Sequence, residues 1–387
     1  MTRYDRYQEL KKTLLNQSIQ GYPLDRILGS YLAVYVWLPP ISKLRFLISL
    51  LRKRQTLKNG AYRNLITFYE GVRGDYDQII EFHRDKMNPS KTDVVVISSA
   101  LRSPIGYAKF FGRVLRELLQ SRSRNLAERL LLSYLKAFAF VTIENLESQH
   151  LTCSVYLSFN SSYLFESFLT YYFRKRSVPT KSIQHAMYFE YLNERPLDIL
   201  NYENICADQL LCWGEFSLEQ LSEKVPPDVH LVIDAYPRTI SLERKKIRSD
   251  CVLLLLPRWI YAREIKSLLS QIKSSPFDFL IRPHPGSIRR VTNLISNYKN
   301  ASIESAGNLT ECLSKTEYRF CVGFNSSAIF EALIHQGSVF QYLCGNDEFI
   351  IPEISSIRNL SDLSLKRVRS IPPERLSYYF STDNPLT

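Results

Sequence analysis

The sequence predicts an α/β protein built from two doubly wound domains that face a cleft, with a helical preface at its N-terminus. Three observations predict that class. Short apolar, β-branched runs alternate with helix-length amphipathic segments from about residue 89 onward, and the alternation restarts after a charged stretch at residues 244–248. Two motifs, Arg282-Pro283-His284-Pro285-Gly286 and Val322-Gly323-Phe324-Asn325-Ser326-Ser327, each follow an apolar run and so fall where α/β sheets bind phosphate. With 387 residues the chain exceeds one ordinary domain and suits two.

Residues 1–88 carry helical periodicity, with Leu10, Leu14 and Leu15, then Leu44, Leu47, Ile48 and Leu51 recurring between charges. Within it, residues 41–54 set Leu and Phe on one side and basic residues near the ends, which suits either a helix lying on anionic lipid or one packed on its own domain. The first α/β domain is expected over 89–245. Its strands are read at 93–97, 154–158, 180–184, 209–213 and 230–233, its helices at 107–120, 163–176 and 217–224, and a loop at 98–106. Residues 244–248, charged and unpatterned, read as an inter-domain linker. The second domain is expected over 246–387, with strands at 251–256, 277–281, 318–322 and 338–343 and helices at 262–273, 289–300 and 327–334; 360–379 is a helix-capable tail around Pro372-Pro373.

Hydrophobic residues make up 45% and aromatics 12%, enough to fill large cores and to exclude a disordered chain. Only 13 glycines argue against long glycine-rich phosphate loops. The formal charge is +12, with many basic residues before residue 140, including Arg52-Lys53-Arg54, Arg122, Arg124 and Arg129. That excess attracts polyanions, among them anionic membrane surfaces and acidic sugar or phosphate polymers. Without a zinc knuckle, aromatic RNA-binding signature or helix-turn-helix, it does not point to nucleic acid. The seven cysteines are scattered and form no CxxC pair, the usage expected of reduced core thiols in a cytosolic protein. Residues 1–12 show no secretory signal, and the apolar run 27–38 stops at Pro39-Pro40, too short to span a bilayer.

His284 is fenced by Pro283 and Pro285, which fix the backbone, so a rigid imidazole beside Arg282 can donate to a phosphate or stabilise a departing nucleotide. Ser326 and Ser327 precede an apolar helix, where hydroxyls and free N–H groups favour an anion; an ordinary serine N-cap is the plain alternative. Glu331, one turn further, suits a ribose hydroxyl or simply the helix dipole. In the first domain His185 ends a strand within Gln184-His185-Ala186, to orient an acceptor or to serve as a structural histidine. Residues 158–162 form a polar turn, and Glu166 and Glu190 are carboxylates near it; any of these acids or His185 has the chemistry of a general base. Trp213-Gly214-Glu215 and Tyr236-Pro237-Arg238 read as architectural, with Arg238 near enough to the linker to touch phosphate. No DxD pair stands in a strand-end context, and the absence of a Walker loop, GxSxG elbow and HExxH helix disfavours ATPase, serine hydrolase and zinc protease; no metal site is expected.

Taken in order, Ile183-Gln184-His185-Ala186, Ala207-Asp208 to Trp213-Gly214-Glu215, Tyr236-Pro237-Arg238, Ile281-Arg282-Pro283-His284-Pro285 and Val322 to Ala332 resemble bacterial surface-polysaccharide glycosyltransferases of the GT-B architecture, over roughly residues 150–345. The His-Pro and Ser-Ser pairs look like those of bacterial polysialyltransferases, Kdo transferases and teichoic-acid glycerophosphotransferases. The resemblance implies a GT-B-like fold of two Rossmann-like domains, the first handling a glycan or lipid-linked acceptor and the second a nucleotide-sugar donor. It implies that His284, Ser326 and Ser327 hold the phosphate of that donor, most often a CMP-sugar, without metal and with inversion; Arg282, Pro285, Asn325 and Glu331 are the further residues expected to bind it. It also implies a cytoplasmic enzyme, peripheral at the inner face of the plasma membrane, that builds capsule or lipopolysaccharide. Where many relatives read Gln-His-Gly, this chain has Ala186, which hinders close backbone approach of a ligand there. Three alternatives stand beside this reading: a CDP-polyol phosphotransferase of teichoic-acid type, a sugar-nucleotide 2-epimerase, and a non-catalytic basic interaction protein of a polysaccharide assembly complex.

Overall fold

The computed structural model describes residues 2–69, 74–120, 125–187, 199–237, 246–304, 307–324, 326–344, 351–365 and 373–381. Two compact units are present: one gathers residues 1–185, 195–212 and 221–233, and the other residues 186–194, 213–220 and 234–387.

The first unit holds a seven-stranded sheet of β1 (Lys53–Thr56), β2 (Asn64–Tyr69), β3 (Thr92–Leu101), β4 (Val155–Ser158), β5 (Thr180–Ile183), β6 (Gln209–Cys212) and β7 (His230–Ile233). Their spatial order is β7-β6-β5-β4-β2-β3-β1, parallel throughout except for β1, which runs antiparallel to β3. Strand order reverses direction between β2 and β4, the topological switch point of this sheet. Buried Leu65, Ile66, Tyr156, Leu157, Ile183 and Leu210 line its interior.

Residues 1–88 are not a separate helical preface. Helices Arg3–Lys12, Gly29–Trp37 and Pro40–Arg52 do form, but β1 and β2 within this stretch belong to the sheet. Tyr31 packs its ring 5.0 Å from Phe138 and 6.1 Å from Phe168, which fastens the early helices onto those of the same unit. Strand β3 also runs on to Leu101 and a helix starts at Pro104, leaving a far shorter connection than the expected loop over 98–106.

The second unit holds a six-stranded, fully parallel sheet of β8 (Lys246–Leu255), β9 (Asp278–Arg282), β10 (Ala301–Ile303), β11 (Thr316–Gly323), β12 (Val339–Tyr342) and β13 (Ser355–Ile357). The order β10-β9-β8-β11-β12-β13 is 3-2-1-4-5-6 in the unit's own numbering, that of a Rossmann-type doubly wound sheet. Right-handed crossovers on either side of β8 place helices on both faces. Val252, Leu254, Phe279, Ile281, Val322 and Phe340 fill one core with Ile265, Leu268, Val291 and Ile295 from the helices. Residues 246–248, expected in a linker, lengthen β8 and pair with Thr316 to Tyr318 of β11. The sequence therefore forms the expected α/β, GT-B-like class of two Rossmann-like units in series.

Candidate functional site

In an open parallel sheet, ligands bind outside the carboxyl ends of the strands at the point where strand order reverses, because the outgoing loops part there. In the second unit that point lies between β8 and β11. Leu255 pairs with Arg282 on one side and with Gly323 on the other, so β9, β8 and β11 end at one level. The loops that leave them begin Pro283-His284, Leu256-Pro257-Arg258 and Phe324. Adjacent strands lie about 4.8 Å apart, so the His284 and Ser326 loops leave the sheet roughly 10 Å apart, one strand between them.

The His284 loop is fixed from within. The carbonyl of His284 accepts both the N–H and the hydroxyl of Ser287, each at 2.8 Å, and Pro285–Ser287 closes a 3₁₀ turn. The imidazole Nδ1 accepts the N–H of Gly286 at 3.2 Å, which places the proton of the neutral ring on Nε2 and makes that nitrogen a donor. Arg282 turns elsewhere: its guanidinium donates to the Gly307 carbonyl at 2.7 Å and pins the loop that follows β10. Pro285 is exposed and shapes the turn.

Gly323 ends β11 where a Cβ would meet Ile329 at 3.3 Å and Leu255 at 3.4 Å, so its lack of a side chain lets the helix Ala328–His335 press against the end of the sheet. The first turn of that helix therefore starts at the switch point. Ser326 Oγ accepts the N–H of Ala328 at 3.3 Å, whereas Ser327 makes no side-chain capping bond. The capping role expected of the pair thus falls to the first serine. Glu331 is buried and accepts the hydroxyl of Thr310 at 3.3 Å, which directs it to the neighbouring helix Leu309–Lys315. Asn325, Glu190 and Arg238 lie outside the described residues.

In the first unit the switch point is at the ends of β2 and β4, and the polar turn expected at 158–162 is there. It is buried and turned inward. The Glu166 carboxylate accepts the N–H groups of Phe159 and Asn160 and the hydroxyl of Thr67, all at 3.0 Å. Burial pushes its acid up to about 8 against the pull of those three donors. Ser161 accepts from the N–H groups of Cys206 and Ala207, and Asn160 accepts from Ser162. Glu166 thereby holds the turn in shape through its own unit's backbone. Leu164, the first residue of the helix Leu164–Arg174 that follows the turn, has a φ of 44°, a left-handed conformation costly for a leucine. His185 is half-buried between Phe159 at 5.3 Å and Tyr76 at 6.0 Å between ring centres.

Two features escaped the sequence reading. Leu256-Pro257-Arg258-Trp259 leaves the switch strand itself and repeats the strand, proline, basic residue order of Ile281-Arg282-Pro283-His284, a signal that was legible; Trp259 lies 5.3 Å from the guanidinium of Arg290 on the helix after His284. The tail Pro373–Tyr379 docks on Trp213-Gly214 and Tyr236. Tyr379 packs 5.0 Å from Phe216 and 5.5 Å from Phe330, Phe380 lies 4.4 Å from Tyr236, and Ser381 bonds the backbones of Trp213 and Tyr236. Phe330 sits in the helix that Ser326 caps, so the tail braces the candidate phosphate site from behind. Among the described residues, no three His, Cys, Asp or Glu side chains gather as a metal site, no helix is long and apolar enough to cross a membrane, and all seven cysteines are free.

No family model matches the chain, and no curated protein matches it in sequence. Solved structures similar to it include UDP-GlcNAc 2-epimerase from Neisseria meningitidis, at 14% identity over 84% of this chain and 96% of that one with a TM-score of 0.42. MurG from Acinetobacter baumannii shares 9% over 72% of this chain and 77% of that one, TM-score 0.36, and the wall teichoic acid polymerase TagF 13% over 72% and 69%, TM-score 0.37. Likeness at these scores is too slight to carry chemistry from one protein to another, and the fold stands on the two sheet orders.

Proposed function

We propose that this chain is a glycosyltransferase that moves a sugar from a nucleotide-activated donor to a bacterial surface glycan, with a CMP-sugar such as CMP-sialic acid or CMP-Kdo favoured. The observation that carries the reading is that the His284 loop and the Ser326-Ser327 helix start leave strands on either side of β8, at the switch point of a 3-2-1-4-5-6 sheet. The preference for cytidine rests on the resemblance of the His-Pro and Ser-Ser pairs to those of CMP-sugar enzymes. In this reading the enzyme works at the inner face of the plasma membrane on a glycan or lipid-linked acceptor.

His185 or Glu190 takes the proton of an acceptor hydroxyl, whose oxygen bonds to the donor's anomeric carbon. The bond from that carbon to the donor phosphate breaks, configuration inverts, and the departing phosphate gathers negative charge. The Nε2–H of His284, the hydroxyl of Ser327 and the N–H groups of the helix start supply donors for that charge without a metal. Glu166 serves as a positioning residue, since its oxygens already hold the turn.

Calorimetric titration with CMP, CDP, UDP and GDP tests the reading. Binding of cytidine nucleotides that is lost in His284→Ala supports it, and binding of none overturns it. A product that retains the donor's phosphate would instead identify a polyol phosphotransferase.

A further inference from the structure

The helix Pro104–Gln120 is packed with its apolar face outward. Ile105, Phe111, Leu115 and Leu119 lie along one side, and they are 72, 55, 61 and 79% exposed. The side that meets the helix Leu126–Glu147 carries Phe110 together with an ionic cluster. Glu117 is buried there with Arg113 at 2.6 Å and Lys136 at 3.9 Å, and the Arg113 guanidinium lies 4.4 Å over the Phe140 ring. A helix that served only its own domain would bury the aliphatic stripe and expose the charges.

A second exposed stripe adjoins it. Ile41, Leu44 and Ile48 of the helix Pro40–Arg52 face outward, with Arg45 and Arg52 exposed on the same helix. Both helices meet at Tyr134, whose ring lies 4.9 Å from Phe110 and whose hydroxyl donates to the Leu47 carbonyl. Arg102 ties them again: its N–H donates to the Arg52 carbonyl at 2.9 Å, and its guanidinium to the carbonyls of Leu51 and Leu50. Exposed Leu101, paired with Lys53, lies between the stripes.

Charge selects the occupant. Residues 40–56 hold five basic side chains and no acidic one, and residues 104–120 hold three basic and one acidic, the buried Glu117. A second copy of this face would meet its own positive charge, whereas an anionic surface with an apolar interior satisfies both features. We infer that this face of the first unit docks on an anionic lipid bilayer, with Ile105, Phe111, Leu115, Leu119, Ile41 and Leu44 entering the headgroup boundary. Lys43, Arg45, Arg52 and Arg116 flank them and meet the phosphates of the headgroups, their aliphatic stems lying along the apolar surface. The inference rests on the membrane-peripheral part of the proposed function and is independent of the nucleotide.

Flotation of the full chain with vesicles of phosphatidylcholine alone, or with phosphatidylserine added, tests it. The wild type floats with the anionic vesicles, and the Phe111→Ser/Leu115→Ser double variant loses at least about tenfold in apparent affinity while its thermal unfolding is unchanged, because both side chains are exposed. Arg45→Glu/Arg116→Glu loses binding to anionic vesicles in the same way. A wild type that floats while both double variants match it overturns the assignment of this face but leaves the membrane reading standing on another surface. A wild type that never floats overturns both. A wild type that dimerises without floating, and becomes monomeric in Phe111→Ser/Leu115→Ser, identifies a second copy as the occupant and overturns the bilayer.

Discussion

Gly214 lies against the backbone of Tyr379, so that a Cβ added at Gly214 would stand 2.6 Å from the Tyr379 carbonyl oxygen and 2.7 Å from that of Tyr378. Neither carbonyl can rotate away as a flexible side chain would. Gly214→Ala is expected to destabilise the second unit by about 1–3 kcal/mol in urea unfolding and to loosen the helix Pro373–Tyr379. Limited proteolysis that cuts just before that helix faster than in the wild type checks the direction. An alanine variant as stable and as resistant as wild type would show that the tail can shift without loss.

His284→Ala removes an imidazole whose Nδ1 bond to the Gly286 N–H sets Nε2 as a donor. Loss of one preorganised donor to a leaving group costs about 100- to 1000-fold in turnover. His284→Ala is therefore expected to lose that much kcat in a sugar-transfer assay while its thermal unfolding temperature moves little, since the ring is half-exposed. A variant with near-normal turnover would remove His284 from the site.

The two serines are expected to part company. Ser326→Ala gives up the bond to the Ala328 N–H and should cost about 0.5–1 kcal/mol of stability as well as nucleotide affinity. Ser327→Ala, with no capping bond to lose, should weaken nucleotide binding alone. Paired thermal-shift and calorimetric measurements on each variant separate the two effects, and identical profiles would contradict the assignment.

Glu166 makes the first unit's stability depend on pH. Its folded-state pKa is about 8, above the ordinary carboxylate value, so the native state keeps a proton that the unfolded chain has already released. Its contribution therefore falls as pH rises from about 4.5 to 8. Glu166→Gln removes the titration, and the melting temperature of the variant is expected to decline less over that window than that of wild type. Parallel curves would place the ionisation elsewhere.

Glu147 acts in the opposite sense. Although partial burial opposes the charged form, Arg176 at 2.7 Å, Lys175 at 2.9 Å and the Tyr22 hydroxyl at 2.8 Å hold its acid down to about 2. Its contribution is complete above about pH 4.5 and is lost as pH falls towards 2. Because the cluster lies at the surface, where solvent screens its charges, the loss is about 1 kcal/mol. Urea unfolding of Glu147→Gln against wild type at pH 3 and pH 6 checks it: the difference at pH 6 should be clearly smaller at pH 3.

The parallel strands were legible because their interiors are continuous apolar runs: the expected strands at 93–97 and 251–256 both fall within or at the end of observed ones. Strand β1 was not, since Lys53-Arg54-Gln55-Thr56 has no strand pattern and is held by its antiparallel pairing with β3. Three-residue β10 and β13 are likewise products of pairing. The placement of His284 just after a strand and of Ser326 at a helix start could be read because proline fences and helix starts are local. Glu166 and Glu331 could not be assigned, because whether a carboxylate faces a ligand or its own backbone depends on burial that the chain settles only when folded.

The docked tail also bears on the order in which the protein takes shape on the ribosome. Trp213, Phe216 and Tyr236 emerge well before Phe380 and Ser381, and Tyr236 bonds a partner that leaves roughly 145 residues later, about 7–30 s at ordinary elongation rates. Until then a set of large aromatic rings has no cover, and the closing contact spans a long stretch of chain, the kind that forms slowly. The nascent second unit should therefore be a client of holding chaperones, and a release of that dependence should coincide with the arrival of the helix Pro373–Tyr379 rather than with completion of the sheet.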